Sequence, residues 1–275
     1  MKANTEMPIG IFDSGIGGLT VVRQIHRALP HENLVYLGDT ARVPYGSKSP
    51  GTVVRFACED TQFLIQQDVK AVVVACNTVS AWALPTLEQK FSVPIFGVIT
   101  PGAQAGLKRS RNRRIGVIGT TTTVRSQAYN RAILALDDSA RVFSRACPLL
   151  VPLVEEGWIN NKITQAILRA YLSPLLRRRI DTLVLGCTHY PLLKRVIRGV
   201  VGKDVALVDS AESCAQFLSA RLNSTKLLAR PRARSGVIQP FVTDEVERFD
   251  EMAKRFLGVP TLPAQKVDLP ALALD

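Results

Sequence analysis

Two apolar segments of this chain resemble each other, and each ends in a cysteine followed by polar residues. Residues 68–78 read DVKAVVVACNT, and residues 181–189 read DTLVLGCTH. Short apolar runs rich in β-branched residues are typical of strands buried inside a parallel sheet. Ligands of such sheets bind beyond the carboxyl ends of the strands. We therefore expect Cys76 and Cys187 to lie at two equivalent strand ends that face a ligand.

A second internal resemblance supports a duplicated architecture. Residues 9–15, IGIFDSG, are similar to residues 115–120, IGVIGT, at an offset of 106 residues, and Cys76 and Cys187 are 111 residues apart. Strand and helix patterns alternate along the chain, which predicts parallel sheets covered by helices on both faces. The predicted fold class is α/β, with two similar parallel-sheet domains related by pseudo-twofold symmetry and the active site in the cleft between them.

Several individual elements follow from the same patterns. The spacing of apolar residues predicts single helices over 79–90 and over 124–136. Residues 41–49, which contain Pro44 and Gly46, are assigned to a loop. The second half is predicted to begin near Thr100. The last ten residues are predicted to form an edge strand or to be frayed.

Composition limits the class of protein. Hydrophobic residues make up 47% of the 275 residues and charged residues 21%, as in soluble globular proteins. Residues 1–7 lack the apolar core of a signal peptide, and no apolar run reaches the roughly 20 residues of a membrane-spanning helix. These patterns predict a cytoplasmic protein with five reduced cysteines. The absence of a CxxC pair and the presence of only three histidines argue against a structural zinc site.

The net charge of +12 is concentrated in three basic clusters, at residues 108–114, 177–179 and 230–234. We interpret these clusters as solvated helix ends and loops. The alternatives are attraction of an anionic small substrate and non-specific contact with nucleic acid. The lack of a nucleic-acid-binding motif and the aromatic content of 6% favour the first interpretation.

The cysteines differ in what their surroundings indicate. Cys58 and Cys214 fall inside predicted helices and are typical of small core residues, whereas Cys147 precedes a proline in a loop and is left unassigned. Cys76 and Cys187 each precede a helix N-terminus, which stabilises a thiolate. Two matched acid/base groups suit a reaction in which the substrate must be approached from either face. Racemisation is the simplest example.

Other polar residues follow predicted strands and are candidates for the same site. Asp13 and Ser14 precede a glycine-rich turn that resembles an anion-binding loop without the full GxGxxG spacing. Asp13 is a candidate either to cap the following helix or to take or hold the proton of Cys76. His189 can poise the thiol of Cys187, although a hydrogen-bonded loop histidine has the same pattern.

Three further segments are candidates for the rim of the cleft. Residues 119–123, GTTTT, form a strand-to-helix turn whose hydroxyl and backbone N–H groups favour a carboxylate or phosphate. Residues 44–46, PYG, form a rigid loop on the same rim. Glu155 is either a second catalytic carboxylate or a solvated acid in a loop.

Taken in order along the chain, these motifs resemble the glutamate racemases of the cofactor-independent aspartate/glutamate racemase superfamily. The resemblance rests on residues 13–18 (DSGIGG), 38–40 (GDT), 44–46 (PYG), 75–78 (ACNT), 119–123 (GTTTT) and 186–191 (GCTHYP), and residues 241–244 (FVTD) extend it. It implies two α/β domains, the first formed by residues 1–98 with 208–275 and the second by residues 99–207. It also implies interconversion of L- and D-glutamate without a cofactor, which supplies D-glutamate for peptidoglycan.

The resemblance implies residue roles as well. Cys76 and Cys187 are the implied acid/bases, with Asp13 assisting Cys76 and with His189 and Glu155 assisting Cys187. The implied substrate-binding residues are Asp13, Ser14, Pro44, Tyr45, Gly46, Asn77, Thr78, Thr120, Thr123, Thr188 and His189. A homodimer is expected, and a secondary contact with DNA gyrase is a further hypothesis. The alternative enzyme is a related aspartate or hydantoin racemase. Action as a basic binding protein on DNA or on a DNA enzyme is held as an addition to catalysis and not as a replacement.

Overall fold

The strands of the chain form two parallel sheets. The computed structural model describes residues 4–231 and 233–269. The first sheet has the order β10-β9-β2-β1-β3-β4 and the second the order β6-β5-β7-β8, and every pairing within them is parallel. The strands are β1 (Ile9–Asp13), β2 (Leu34–Gly38), β3 (Ala71–Val74), β4 (Ile95–Gly97), β5 (Arg114–Gly119), β6 (Arg141–Ala146), β7 (Thr182–Gly186), β8 (Ala206–Asp209), β9 (Ile238–Val242) and β10 (Gln265–Lys266).

The two sheets repeat one arrangement of four strands. The order β2-β1-β3-β4 in the first sheet corresponds to β6-β5-β7-β8 in the second. Ile9 pairs with Ala71 in the first sheet, and Ile115 pairs with Thr182 in the second. Ile9 and Ile115, and Ala71 and Thr182, are separated by the same two offsets that the sequence motifs show. The predicted α/β class with two similar parallel-sheet halves is therefore confirmed. Cys76 and Cys187 follow the equivalent strands β3 and β7.

Helices cover both sheets. They are α1 (Leu19–Ala28), α2 (Pro50–Gln66), α3 (Asn77–Trp82), α4 (Leu84–Lys90), α5 (Ile99–Arg109), α6 (Thr121–Arg125), α7 (Ala128–Leu134), α8 (Leu150–Glu155), α9 (Lys162–Leu176), α10 (Lys194–Val201), α11 (Ser210–Ser224) and α12 (Val246–Phe256). The amphipathic α10 is typical: it buries Val196, Ile197 and Val201 and exposes Arg195. Within the described ranges, no helix is long and apolar enough to cross a bilayer.

The chain returns to the first sheet after completing the second. Strands β9 and β10 extend the first sheet beyond β2, and α11 packs against both α1 and α5. Helix α11 therefore connects the two halves, and the exact domain limits at residues 98 and 208 stay a prediction. An edge strand was expected over the last ten residues; β10 (Gln265–Lys266) reaches only the first of them, and residues 270–275 lie outside the described residues.

Two helices predicted as continuous are each broken in two. Residues 79–90 divide between α3 and α4 at Ala83, because Pro85 has no N–H and its ring clashes with a continuing helix. Residues 124–136 divide between α6 and α7 at Gln127, whose φ of 56° is left-handed. The predicted loop at residues 41–49 contains two short 3₁₀ turns, Thr40–Arg42 and Tyr45–Ser47.

Helices α5 and α8 were missed by the sequence analysis. Helix α5 contains Pro101, Gly102 and Gly106, which have low helix propensity, so its local pattern is weak. A Cβ atom on Gly106 would lie 3.0 Å from the side chain of Val184, which shows that the helix packs closely on β7. Helix α8 has only six residues and contains Pro152. Tertiary packing therefore stabilises both helices more than their sequences do.

Two of the basic clusters meet at the amino end of the second sheet, away from the carboxyl ends of its strands. Arg114 Nε donates to Arg178 O at 2.5 Å, and Asn112 Nδ2 donates to Arg179 O at 3.0 Å. Arg113 Nη1 donates to Ser110 O at 3.1 Å, at the C-terminus of α5. These contacts support the interpretation that the clusters cover helix ends and loops.

Candidate active site

A cavity of about 680 Å³ lies at the carboxyl ends of the strands, between the two halves. Cavities of this size are typical of small-molecule sites. Most residues expected from the sequence line it: Ser14, Pro44, Tyr45, Gly46, Cys76, Asn77, Thr78, Thr120, Glu155, Cys187, Thr188 and His189. The fold therefore brings both cysteines to one cavity. Asp13 and Thr123 do not line it and lie behind residues that do.

Cys76 is a buried free thiol at the start of α3. Its Sγ atom lies 3.5 Å from Ser14 Oγ. Burial and the nearby Asp13 carboxylate raise the pKa of Cys76 to about 12, while hydrogen bonds from Ser14 and the Val79 backbone act in the opposite direction. The thiol form of Cys76 is therefore favoured when the cavity is empty.

Asp13 is the last residue of β1 and lies behind Cys76. Neither of its carboxyl oxygens makes a hydrogen bond of good geometry within the described residues. Burial raises the pKa of Asp13, and His189 and the backbone N–H groups of Gly18 and Gly15 oppose this rise. The expected alternative role as a helix N-cap is wrong, because Gly18 is the cap residue of α1 and no side chain caps it. Asp13 is left as a buried carboxyl group beside a thiol.

Cys187, His189 and Glu155 form a line of polar groups on the opposite side of the cavity. His189 Nδ1 lies 4.0 Å from Cys187 Sγ, and His189 Nε2 lies 2.9 Å from Glu155 Oε1. Burial alone would lower the pKa of His189, but the hydrogen bonds to Cys187 and Glu155 outweigh burial and raise it to about 10. Glu155 is the last residue of α8, so the alternative of a solvated loop acid is wrong.

The glycine-rich turn after β1 makes room for protein atoms. A Cβ atom on Gly17 would lie 2.3 Å from Thr188 Oγ1 and 2.5 Å from His189 Cε1. Thr20 Oγ1 donates to Thr188 O at 2.8 Å. The turn therefore packs against the loop that follows Cys187 in the other half. Its resemblance to an anion-binding loop did not indicate this contact.

Three threonine hydroxyls form a triangle, of which Thr78 and Thr120 line the cavity and Thr123 lies behind them. Thr78 Oγ1 lies 2.9 Å from Thr120 Oγ1 and 3.0 Å from Thr123 Oγ1, and the last two atoms are 2.9 Å apart. Thr122 Oγ1 donates to Gly46 O at 2.6 Å. The predicted threonine turn thus forms hydrogen bonds with Thr78 and Gly46 of the first half. Its hydroxyls can also bind an anionic group.

Tyr45 belongs to the cavity wall, but its hydroxyl faces the interior of the protein. Its Oη atom donates to Asp39 Oδ2 and lies 3.3 Å from Asp60 Oδ2. Arg42 forms ion pairs with Asp39, Glu59 and Asp60 around the same point. Any ligand contact of Tyr45 would therefore use other atoms of the residue, and its hydroxyl fixes the loop.

Sequence reasoning missed part of the cavity wall. The wall also contains the cations Lys48, Arg125 and Arg248 and the apolar side chains Val151, Phe249 and Met252. Val151 was missed because α8 was not predicted. The spacing of Arg248, Phe249 and Met252 is helical, but no sequence signal indicates that this face of α12 turns towards the cavity.

The groups in this cavity can perform proton transfer. Two thiols approach one space, and each has a different polar partner, the Asp13 carboxyl group for Cys76 and the His189 imidazole for Cys187. Hydroxyl and cationic groups surround them and can bind carboxylates. No three His, Cys, Asp or Glu side chains gather as a metal site within residues 4–231 and 233–269.

Comparisons with known proteins agree with this geometry. Residues 9–218 match the family model described as Asp/Glu/Hydantoin racemase. The glutamate racemase of Geobacter metallireducens is 52% identical over 250 residues, which cover 91% of this chain and 92% of the relative. The crystal structure of glutamate racemase isoform RacE1 from Bacillus anthracis has a TM-score of 0.94 and 41% identity, covering 98% of this chain and 100% of that one. The glutamate racemase of Francisella tularensis, solved in complex with D-glutamate, has a TM-score of 0.88 and 37% identity, covering 96% and 98%.

Proposed function

The chain belongs to the Asp/Glu/Hydantoin racemase family, and we propose that it interconverts L- and D-glutamate without a cofactor, with Cys76 and Cys187 as the two acid/bases. The observation that carries the proposal is the pair of buried free thiols that follow the equivalent strands β3 and β7 and line one cavity. A carbon held between them can lose a proton to one sulfur and gain a proton from the other on its opposite face.

The two thiols have different partners, which suggests how each turnover starts. Racemisation needs one thiol and one thiolate, and their roles reverse with the enantiomer that binds. We propose that Asp13 assists Cys76, whose raised pKa favours the protonated form in the empty enzyme. We propose that His189 assists Cys187 through Nδ1, while Glu155 orients the imidazole through Nε2.

The polar wall of the cavity would bind and stabilise the substrate. An α-proton beside a carboxylate is a weak acid, so the developing negative charge needs oriented hydrogen-bond donors. The threonine triangle and Ser14 provide hydroxyls, and Lys48 and Arg125 raise the positive potential for a substrate with two carboxylates. The proposed binding residues in the cavity wall are Ser14, Pro44, Tyr45, Gly46, Asn77, Thr78, Thr120, Thr188 and His189. Asp13 and Thr123 lie behind the wall and would act on the substrate through Cys76 and through Thr78 and Thr120.

Supply of D-glutamate for peptidoglycan synthesis is the physiological role that we propose. Division into domains of residues 1–98 with 208–275 and residues 99–207 remains a proposal. The homodimer, the secondary contact with DNA gyrase and the cytoplasmic location stay predictions.

Incubation of the purified protein with L-glutamate in D₂O, without added cofactor, tests the proposal. Chirality and α-deuterium content are followed together by chiral chromatography and mass spectrometry. The expected result is D-glutamate that carries deuterium at the α-carbon, because the second thiol exchanges its proton with solvent. L-aspartate is the parallel substrate. Exchange with aspartate alone would overturn the choice of glutamate, and exchange with neither would overturn the proposed activity.

A further inference from the structure

We propose that Tyr129, which does not line the cavity, is a positioning residue that holds the Cys76 loop and the Cys187 strand at a fixed separation. Tyr129 lies in α7 and is buried in the core of the second half. It contacts the residue that follows one cysteine and the residue that precedes the other. The inference rests on the proposed function, because only a two-thiol proton transfer requires this separation to be fixed.

The hydroxyl of Tyr129 holds the Cys76 side. It donates to Asn77 Oδ1 at 2.7 Å, and Asn77 directly follows Cys76 and begins α3. Burial keeps the pKa of Tyr129 well above its usual range, so the hydroxyl remains a donor. The side chain of Asn77 is therefore held by a residue of the other half of the molecule.

The ring of Tyr129 packs on the Cys187 side. A Cβ atom on Gly186, the residue before Cys187, would lie 2.9 Å from Tyr129 Cε2. A Cβ atom on Gly102 would lie 3.1 Å from the Tyr129 hydroxyl oxygen. Real Cβ atoms are rarely so close to another side chain, so Gly186 allows the ring to rest against the backbone beside Cys187, and Gly102 allows it to rest against α5.

A second connection joins the same two strand ends. Asn77 Nδ2 lies 3.5 Å from Ser210 Oγ, and Ser210 Oγ donates to Leu185 O at 3.0 Å. Leu185 is two residues before Cys187 on β7. One polar end of the Asn77 side chain therefore contacts Tyr129 of the second half, and the other contacts Ser210, which in turn donates to β7. These contacts limit how far the Cys76 loop can move relative to Cys187.

The separation between Cys76 and Cys187 controls the rate of racemisation, because both sulfur atoms must reach the same carbon from opposite faces. A misplacement of about 1 Å in a reacting group can cost about 10²-fold in rate. The threonine triangle also joins the two halves, but Thr78 and Thr120 line the cavity, so changes there would alter binding directly. Tyr129 lies behind the wall and acts through Asn77.

Replacement of Tyr129 by Phe tests the inference, because it keeps the ring and removes only the hydroxyl. We expect kcat to fall by about 10- to 100-fold in both directions. The equilibrium constant of a racemisation is one, so kcat/KM must fall by the same factor for both enantiomers. Thermal unfolding and gel filtration of the variant establish that it is folded.

Isotope effects with α-deuterated L- and D-glutamate separate positioning from a general structural loss. If the Cys76 transfer is slowed, the isotope effect increases for the enantiomer from which Cys76 removes the proton. It decreases for the other enantiomer, because Cys76 then donates a solvent-derived proton in the slow step. A smaller amount of active enzyme lowers kcat and leaves both isotope effects unchanged.

Tyr171→Phe is the matched control, since Tyr171 is half-buried and its hydroxyl accepts a 3.4 Å hydrogen bond from Leu149 N in the same half. We expect wild-type kinetics from this variant. Wild-type rates in Tyr129→Phe, or reduced rates with unchanged isotope effects, would overturn the positioning role. A wild-type enzyme that does not racemise glutamate would instead overturn the proposed function, so the two failures are distinguishable.

Discussion

His189 Nε2 lies 2.9 Å from Glu155 Oε1, while Nδ1 of the same ring lies 4.0 Å from Cys187 Sγ. Cys76 has no such partner and lies instead beside Asp13 and Ser14. The two halves of the molecule thus repeat their strand order, but the surroundings of their cysteines differ in charge. Substitutions on the two sides of the cavity should therefore have different effects on the pH dependence of activity.

Glu155→Gln should move the alkaline limit of activity to lower pH. Hydrogen bonds to Cys187 and Glu155 raise the pKa of His189 to about 10, so loss of the Glu155 charge should lower that pKa by about one unit or more. The raised pKa of His189 also contributes to the free energy of unfolding. This contribution is fully present below about pH 6.5 and is lost as pH rises through about 10. Profiles of kcat/KM against pH measure the shift. Glu156→Gln, an exposed neighbour, is the control, and equal profiles for both variants would contradict the assignment.

Cys76→Ala and Cys187→Ala should each lower racemisation by about 10²- to 10⁴-fold, because a general acid/base group contributes about that factor. The rate is measured by polarimetry with L- and D-glutamate. Cys214→Ala is the control, since this buried cysteine lies in α11 and does not line the cavity. Near-normal racemisation by either active-site variant would remove that thiol from the mechanism.

Gly17→Ala should reduce activity by displacing the Cys187 loop. The added methyl group would lie 2.3 Å from Thr188 Oγ1 and 2.5 Å from His189 Cε1, so these side chains must move. The expected result is a loss of kcat together with a lower melting temperature. Gly199→Ala, inside α10 with no atom within 4 Å of the new Cβ, should instead raise the free energy of unfolding by about 0.5–1 kcal/mol. Unchanged kcat in Gly17→Ala would show that the loop tolerates displacement.

Asp60→Asn should preserve or increase stability at pH 8. Burial and the charge of Asp39 raise the pKa of Asp60 well above its usual range, so the folded protein binds this proton more tightly than the unfolded chain. The free energy of unfolding therefore falls as pH rises from about 3.9 towards the folded-state pKa, and Asn removes this dependence. Urea unfolding at several pH values measures it.

Arg42→Ala provides the contrast within the same cluster. It leaves the buried Asp39 carboxylate and the Asp60 carboxyl group without the adjacent cation and should cost about 3–5 kcal/mol. If Asp60→Asn proves as destabilising at pH 8 as Arg42→Ala, Asp60 must be ionised in the folded protein.

The sequence was most informative where local pattern and chemistry coincide. The two similar segments at residues 68–78 and 181–189 predicted strands β3 and β7, because buried parallel strands are short, apolar and rich in β-branched residues. They also predicted that a cysteine follows the end of each strand. Helices α5 and α8 could not be predicted in this way, since their prolines and glycines weaken the local signal and packing stabilises them. Consequently Val151, which α8 brings to the cavity, was missed.

For the candidate site, the sequence by itself determined the duplicated α/β plan, the two thiols and most of the polar residues around them, because residue type and strand-end position are local properties. Only the tertiary structure decided what those residues contact. In the folded protein the Tyr45 hydroxyl donates to Asp39, and Glu155 forms a hydrogen bond with His189. Tyr129 lies between Asn77 and Gly186. Each contact depends on how a side chain packs in the folded protein, and the Tyr129–Asn77 contact also joins one half to the other. No local pattern encodes such packing.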